Sequence, residues 1–208
     1  MLTNFAADLI VKTVRMQTER QTQIMESALE LIAEKGIQGL TIKNLSKKIG
    51  ISEPAIYRHF DSKSSILLTI LNNFKQMAAM LSGIVPTVGD TAFDKISFIF
   101  SKIIQLFIES PSYVTVIFSE EIFKNDIQLK NKIIEVLDQN GQTIEIIIRT
   151  GQENGDIRTD IDSKNLALIV MGSLRFLVKQ WDIKGKKHNL KLEGDQMLNS
   201  LKLIIGNS

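Results

Sequence analysis

Leu40-Thr41-Ile42-Lys43-Asn44-Leu45-Ser46-Lys47-Lys48-Ile49-Gly50-Ile51-Ser52-Glu53-Pro54-Ala55-Ile56-Tyr57-Arg58-His59-Phe60 is the stretch whose reading decides the fold. Thr41 is placed to cap a short helix over Ile42–Ile49, and Gly50 ends that helix because glycine alone enters a left-handed corner freely. Ile51 plugs the corner. Ser52 then caps a second helix, whose first turn holds Glu53 and Pro54, both suited to a helix N-terminus. Leu45, Ile49, Ile51, Ile56 and Phe60 share the inward side, which leaves Glu53, Pro54, Ala55, Tyr57, Arg58 and His59 facing out. Two short helices joined in this way make a helix-turn-helix, and a major groove about 12 Å wide admits the second of them.

Helical spacing continues on both sides of the motif. Upstream, Ile24, Ala28, Leu31 and Ile32 form one face of a helix from about Thr18 to Lys35, with Gly36 as its left-handed cap. Downstream, Asp61 or Ser62 caps a longer helix to about Met80, carrying Ile66, Ile70, Phe74, Met77 and Leu81. Ile84–Asp90, with Pro86 and Gly89, is the clearest break in the chain. Beyond it, Phe93, Ile96, Phe100, Ile103 and Phe107 mark another helix, and Ser110-Pro111 starts one reaching about Phe123. Further helices follow over Asp126–Glu153, Asn165–Asp182 (capped by Asp162 or Ser163) and Asp195–Ile205, with Lys184–Glu193 read as a polar loop. The fold class is all-α. The expected organisation is an extension over 1–17, a DNA-binding domain over 18–63 with a linking helix over 62–82, and a larger helical domain over 83–208.

Composition narrows the function classes. The 208 residues are 44% apolar and 23% charged, the balance of an ordinary globular protein. The absence of cysteine excludes disulfides and thiolate metal sites and suits a reducing cytoplasm. His59 and His188 are the only imidazoles, so no metal centre or cofactor is expected. Neither a nucleophile with a histidine base nor a phosphate-cradling glycine loop is legible, and no enzyme is expected. The longest apolar runs, Ile144–Ile148 and Leu166–Gly172, fall far short of the roughly 18 residues of a membrane span. Met1–Leu9 lack a basic leader, and Met16 is the expected start of the functional chain unless 1–17 form a flexible arm. Net charge is only +2, but Lys43, Lys47, Lys48, Arg58 and Lys63 outnumber Glu53 and Asp61 within 41–63, as a phosphate-binding surface requires.

With its continuation through Asp61-Ser62-Lys63 and Ile66-Leu67, and with Ala28, Leu31 and Gly36 upstream, the stretch resembles the DNA-binding motif of the TetR (tetracycline-repressor-like) family. The ending Tyr57-x-His59-Phe60-x-x-Lys63 is its most specific part. The resemblance implies a homodimeric regulator, typically a repressor, that holds palindromic double-stranded operator DNA and releases it when a small molecule binds the larger domain. It implies backbone and groove-edge contacts from Thr41 and Lys43, and base contacts from the helix opened by Ser52, through Glu53, Pro54 and Ala55. Tyr57, His59 and Lys63 correspond to phosphate-binding residues, and Arg58 to a guanine or phosphate contact. Glu53 departs from the neutral or basic residue common there; accepting from cytosine N4 and partnering the helix dipole are both open readings. Ser46 and Ile32 replace a commoner alanine and phenylalanine.

In the larger domain the aromatic stripe is first of all core. The resemblance implies a ligand pocket, for which Phe100, Phe107, Phe118, Met171 and Phe176 are the candidate lining and Arg175 a candidate anchor for a carboxylate or phosphate. Such a lining suits an apolar effector, for instance a fatty acyl chain or a planar drug-like molecule. The helix over Asn165–Trp181 is apolar around most of its circumference, and the last helix adds a second apolar stripe. Leu168, Gly172, Leu198, Leu201 and Ile205 are therefore expected at a two-fold interface. A rival reading keeps the fold but makes the chain an activator or a chromosome-organising factor without an effector.

Overall fold

The structure, a computed structural model, describes residues 18–124 and 126–207. The expected extension over 1–17 and the proposed start at Met16 lie outside the described residues. Among those residues the chain forms helices and no strand. They run α1 Glu19–Gly39, α2 Ile42–Ile49, α3 Glu53–Tyr57, α4 Lys63–Ile84, α5 Ala92–Glu109, α6 Ser112–Ile117, α7 Glu120–Lys124, α8 Ile127–Asn154, α9 Ser163–Ile183 and α10 Leu190–Ile205.

Local signals set most helix ends. Thr18 and Gln21 form a reciprocal capping box at the start of α1, and Ser62 with Ser65 does the same for α4, each serine hydroxyl accepting from the other's amide at 3.1 Å. Gly36 interrupts α1 with φ 67°, in the left-handed region anticipated for it, and the chain closes one further turn before Leu40. Thr91 and Asp94 exchange bonds ahead of α5, Asp162 caps α9, and Asn189 caps α10. The last helix starts earlier than expected because Asn189, rather than a residue near Asp195, takes the cap. The single helix expected from Ser110 to Phe123 is instead two, α6 and α7. The Phe118 amide donates to the carbonyls of both Val114 and Val116 there, a tightening that no proline or glycine announces.

The described residues divide into two compact units that do not follow chain order. The first combines residues up to 77 with 109–136, and the second combines 78–108 with 137–208. In the first, α6 packs against α1, and the core collects Ile24, Met25, Ala28, Leu31 and Ile32 of α1 with Leu45, Ile56, Phe60, Ile66, Ile70 and Phe74. Tyr113 of α6 is buried there with its ring tilted against Phe74 at 6.0 Å.

The second unit is closed by two glycines. At Gly151 of α8 an added Cβ would collide with the Cβ of Ala92, and at Gly194 of α10 with Ile104 of α5. Backbones approach this closely only where side chains are missing. The turn after α8 is tied to the end of α10 by an isolated bridge between Ile157 and Gly206, with the Arg158 amide donating to the Ile205 carbonyl at 3.0 Å. Among the described residues no helix is long and apolar enough to cross a membrane.

Candidate nucleic-acid interface

The first three helices and the start of α4 present the motif residues in a definite order. Thr41 adopts extended backbone and its hydroxyl oxygen accepts from the Asn44 amide at 3.1 Å. The Asn44 side chain reaches back to the Gly39 carbonyl at 2.9 Å, locking the entry to α2. At the other end Gly50 takes φ 77°, and both its amide and that of Ile51 donate to the Ser46 carbonyl. Ser52 sits at the cap of α3, although its side chain makes no cap bond. That hydroxyl therefore keeps both its donor and its acceptor for something outside the fold.

Ile56 and Phe60 are buried and fasten α3 to the core. The opposite face carries Ser52, Glu53, Pro54, Tyr57 and Arg58 in the open, while Ala55 and His59 are half-covered at its margin. Tyr57, about half exposed, is a large side chain left in solvent beside a sealed core, as a group meant for another surface would be. Thr41, Lys43 and Lys47 are exposed on α2. One helix N-terminus, three hydroxyls and several cations thus face outward from adjacent elements, the donor set whose bonds phosphates accept.

Two of the five basic residues counted in the sequence are engaged within the protein. Lys63 is half-covered, and its ammonium donates to the Ile37 carbonyl at 2.9 Å. Lys48 pairs with Glu30 and Glu34 of α1 at 3.1 and 2.7 Å. Neither partnership is legible in the sequence, since Ile37 offers only backbone and the two glutamates look like solvated helix surface. Beside Lys63, the Ser64 hydroxyl donates to Asp126, which also accepts from the amides of Leu129 and Gln128; together these hold the Asp126 carboxyl below its ordinary value. A cleft of about 250 Å³ opens here, walled by Ile37, Lys63, Leu67, Ile122 and Leu129. It is smaller than the roughly 300–1,000 Å³ of drug-sized ligand sites.

The residues singled out for an effector pocket are spread over both units. Phe118 lies in the first, half-buried, whereas Phe100 and Phe107 are buried in the second, with Met171 half-buried and Arg175 exposed. Phe176 needs correction: it is 65% exposed and lines no interior space. It shares an outward stripe of α9 with Leu168 (71% exposed), Gly172 and Ile183. Three interface assignments need correction too, because Leu198, Leu201 and Ile205 are buried in the protomer's own core. The close approach of α10 to α5 at Gly194 turns that stripe inward. The apolar residues that α10 leaves outside are Leu192, Leu203 and Ile204. Among the described residues no group of three or more His, Cys, Asp or Glu side chains is arranged to hold a metal ion.

Known proteins agree with this arrangement. The family model of the bacterial regulatory proteins of the tetR family matches residues 24–70, and that of the YsiA-like protein C-terminal region matches residues 71–206. A curated relative, the fatty acid metabolism regulator protein of Bacillus subtilis (strain 168), is 22% identical over 190 residues, covering 90% of this chain and 96% of its own. The nucleoid occlusion factor SlmA of Actinobacillus pleuropneumoniae is 26% identical over 135 residues, 62% of this chain and 67% of its own. Among solved structures, the transcriptional regulator FadR from Bacillus subtilis in complex with stearoyl-CoA has the same fold, with a TM-score of 0.75 at 23% identity over 86% of this chain and 96% of that one. With its helix-turn-helix and its larger helical portion both matched, the chain belongs to the tetR family of bacterial regulatory proteins and is a DNA-binding transcriptional regulator.

Proposed function

We infer that this regulator is a homodimeric repressor that grips a palindromic operator and lets go when a long-chain acyl thioester binds. The observation that carries the DNA half is the outward row Ser52, Glu53, Pro54, Tyr57 and Arg58 on a helix whose back is sealed by Ile56 and Phe60. Tyr57, His59 and Lys63 hold phosphates, whereas Ser52, Glu53, Pro54, Ala55 and Arg58 read base edges and Thr41 and Lys43 set the register. Two heads separated by about one DNA turn, roughly 34–36 Å, would read the two half-sites.

The dimer half rests on the exposed stripe of α9. Leu168, Gly172, Phe176 and Ile183 recur at helical spacing on one side, and α10, which packs beside α9, adds Leu192 and Leu203. Isolated apolar residues on a surface are ordinary, but an aligned stripe on two adjacent helices is what a symmetric four-helix contact covers.

The effector class is argued from the relatives, one named a fatty acid metabolism regulator and another solved with stearoyl-CoA, and from the apolar side chains of the second unit, Phe100 and Phe107 buried and Met171 half-buried. Binding preferentially to a head spacing that misfits the operator would lower occupancy by that difference in affinity. The test is a DNA-binding titration on the region upstream of the chain's own gene, repeated with stearoyl-CoA and with free coenzyme A. Release by the acyl thioester alone supports the reading; tight binding indifferent to both removes the effector.

The likeness to a nucleoid occlusion factor favours one second reading, a DNA-binding protein that organises the chromosome. Genome-wide occupancy separates the two: a few sites beside promoters mark a repressor, and many dispersed sites mark an organiser. Either role places the chain in the compartment that holds the chromosome, the cytoplasm.

A further inference from the structure

Lys48 sits in the last turn of α2, two residues before the left-handed corner at Gly50. Glu30 and Glu34 stand one helical turn apart on α1, on the same face, and both reach the Lys48 ammonium, at 3.1 and 2.7 Å. Only 23% of the Lys48 side chain is exposed, whereas neighbouring Lys47 is out in solvent. The hydrogen bond from Lys48 holds the Glu34 carboxyl below its ordinary value, and the same bond raises the ammonium of Lys48. Two carboxylates hold the one ammonium of Lys48, and Lys35 acts on Glu34 as well, so the charge of Lys48 is already met within the protein and a phosphate would have to compete with both glutamates for it. The cluster also spans the boundary between α1 and α2, which together with buried Ile56 and Phe60 supports the reading head. On one side is α1, anchored in the core by Ile24, Ala28, Leu31 and Ile32; on the other is the turn of α2 from which Gly50 and Ile51 launch α3.

We propose that Lys48 is a positioning residue for DNA recognition, a strut from α2 to Glu30 and Glu34 that fixes how α3 stands on α1 and takes no phosphate itself. The distinction is measurable. Each cation that neutralises a phosphate contributes about 0.9 to the slope of log affinity against log salt. A strut contributes nothing to that slope but holds the geometry on which base reading depends. It therefore moves the ratio of specific to non-specific binding.

The experiment uses the full-length protein and two duplexes, one selected by the protein itself from random-sequence DNA and one unselected, each over a salt series. Lys48→Met should lower the selected-to-unselected ratio roughly tenfold, in line with couplings between contacting residues, and leave the salt slope unchanged. Glu30→Gln with Glu34→Gln should lower the ratio in the same way, and the triple variant should be no worse than either. Lys48→Arg should restore the ratio. Lys47→Met is the contrast, losing about 0.9 of slope for each protomer on the duplex with the ratio kept. Thermal melting of each variant establishes that it is folded at the assay temperature; if Lys48→Met is not, the double glutamine variant carries the test. The proposal is overturned if Lys48→Met loses slope as Lys47→Met does. It is equally overturned if the double glutamine variant tightens binding with its ratio intact, or if Lys48→Met changes neither quantity.

Discussion

The Lys63 ammonium donates a hydrogen bond to the Ile37 carbonyl at 2.9 Å, joining the first residue of α4 to the turn that follows the kink at Gly36. A lysine at this position of the motif is assigned to phosphate, and here it also closes the backbone of α1. Lys63→Met should therefore do two things at once. It should weaken binding to every DNA sequence and lower unfolding stability by about 1 kcal/mol through the lost bond from the ammonium, the Ile37 carbonyl keeping only its bond from the Leu40 amide. Tyr57→Phe, which removes only an exposed hydroxyl, should weaken binding without moving the melting temperature. Unchanged melting of Lys63→Met would separate the two roles.

The corner at Gly50 is a backbone requirement and nothing else. Its φ is 77°, and an added Cβ would meet no atom within 4 Å. Gly50→Val should cost on the order of 1–2 kcal/mol, the penalty of a left-handed L-residue, and Gly50→Asn distinctly less. Chemical denaturation of both variants measures the gap. If valine and asparagine cost the same, the corner is not set by φ.

Replacing the two kinds of leucine in the second unit should have opposite consequences. Leu168 is on the surface of α9 and Leu201 is in the core. Leu168→Glu should leave the protomer folded and reduce self-association in sedimentation, with DNA affinity falling as the dimer is lost. Leu201→Glu should unfold the unit, because a buried carboxylate has no partner there. A fully dimeric Leu168→Glu protein would move the interface elsewhere.

Acid sensitivity is expected from Asp126. Hydrogen bonds from Ser64 and from the Leu129 and Gln128 amides hold its carboxyl below the ordinary 3.8. The unfolded chain therefore binds the proton more readily than the folded one. Stability from this group is present at neutral pH and is lost as pH falls below 3.8 through the folded value. Asp126→Asn should lower stability at neutral pH and make it less dependent on pH below 3.8. An Asp126→Asn protein with the wild-type acid profile would assign the sensitivity to other carboxyls, Glu135 between Lys75 and Lys132 first among them.

Tyr113 is buried, which pushes its phenol up, and hydrogen bonding makes no contribution to that shift. Tyr113→Phe, which keeps the ring against Phe74 and removes only the hydroxyl, should change stability by no more than about 1 kcal/mol. A clear loss in thermal melting would mean that the hydroxyl has found water or ligand in solution.

The local grammar of this chain was legible in its sequence. Gly36 and Gly50 announce corners through the left-handed backbone they adopt, Thr41 a cap through its hydroxyl, and Ser52 a cap by its position, and these depend on a few neighbouring residues only. For the same reason the outward face of α3 could be read from spacing, because Ile56 and Phe60 fall on its opposite side. What the tertiary structure decided is which apolar surface meets which. Leu198, Leu201 and Ile205 have the same helical spacing whether they meet a partner or their own core, and only the close approach at Gly194 turned them inward. Phe176 looked like core for its chemistry, yet its place on α9 put it outside. The engagement of Lys48 with Glu30 and Glu34, and of Lys63 with the Ile37 carbonyl, was equally invisible. Periodicity records the side of a helix on which a residue lies; what stands opposite that side is set by contacts between residues far apart in the chain.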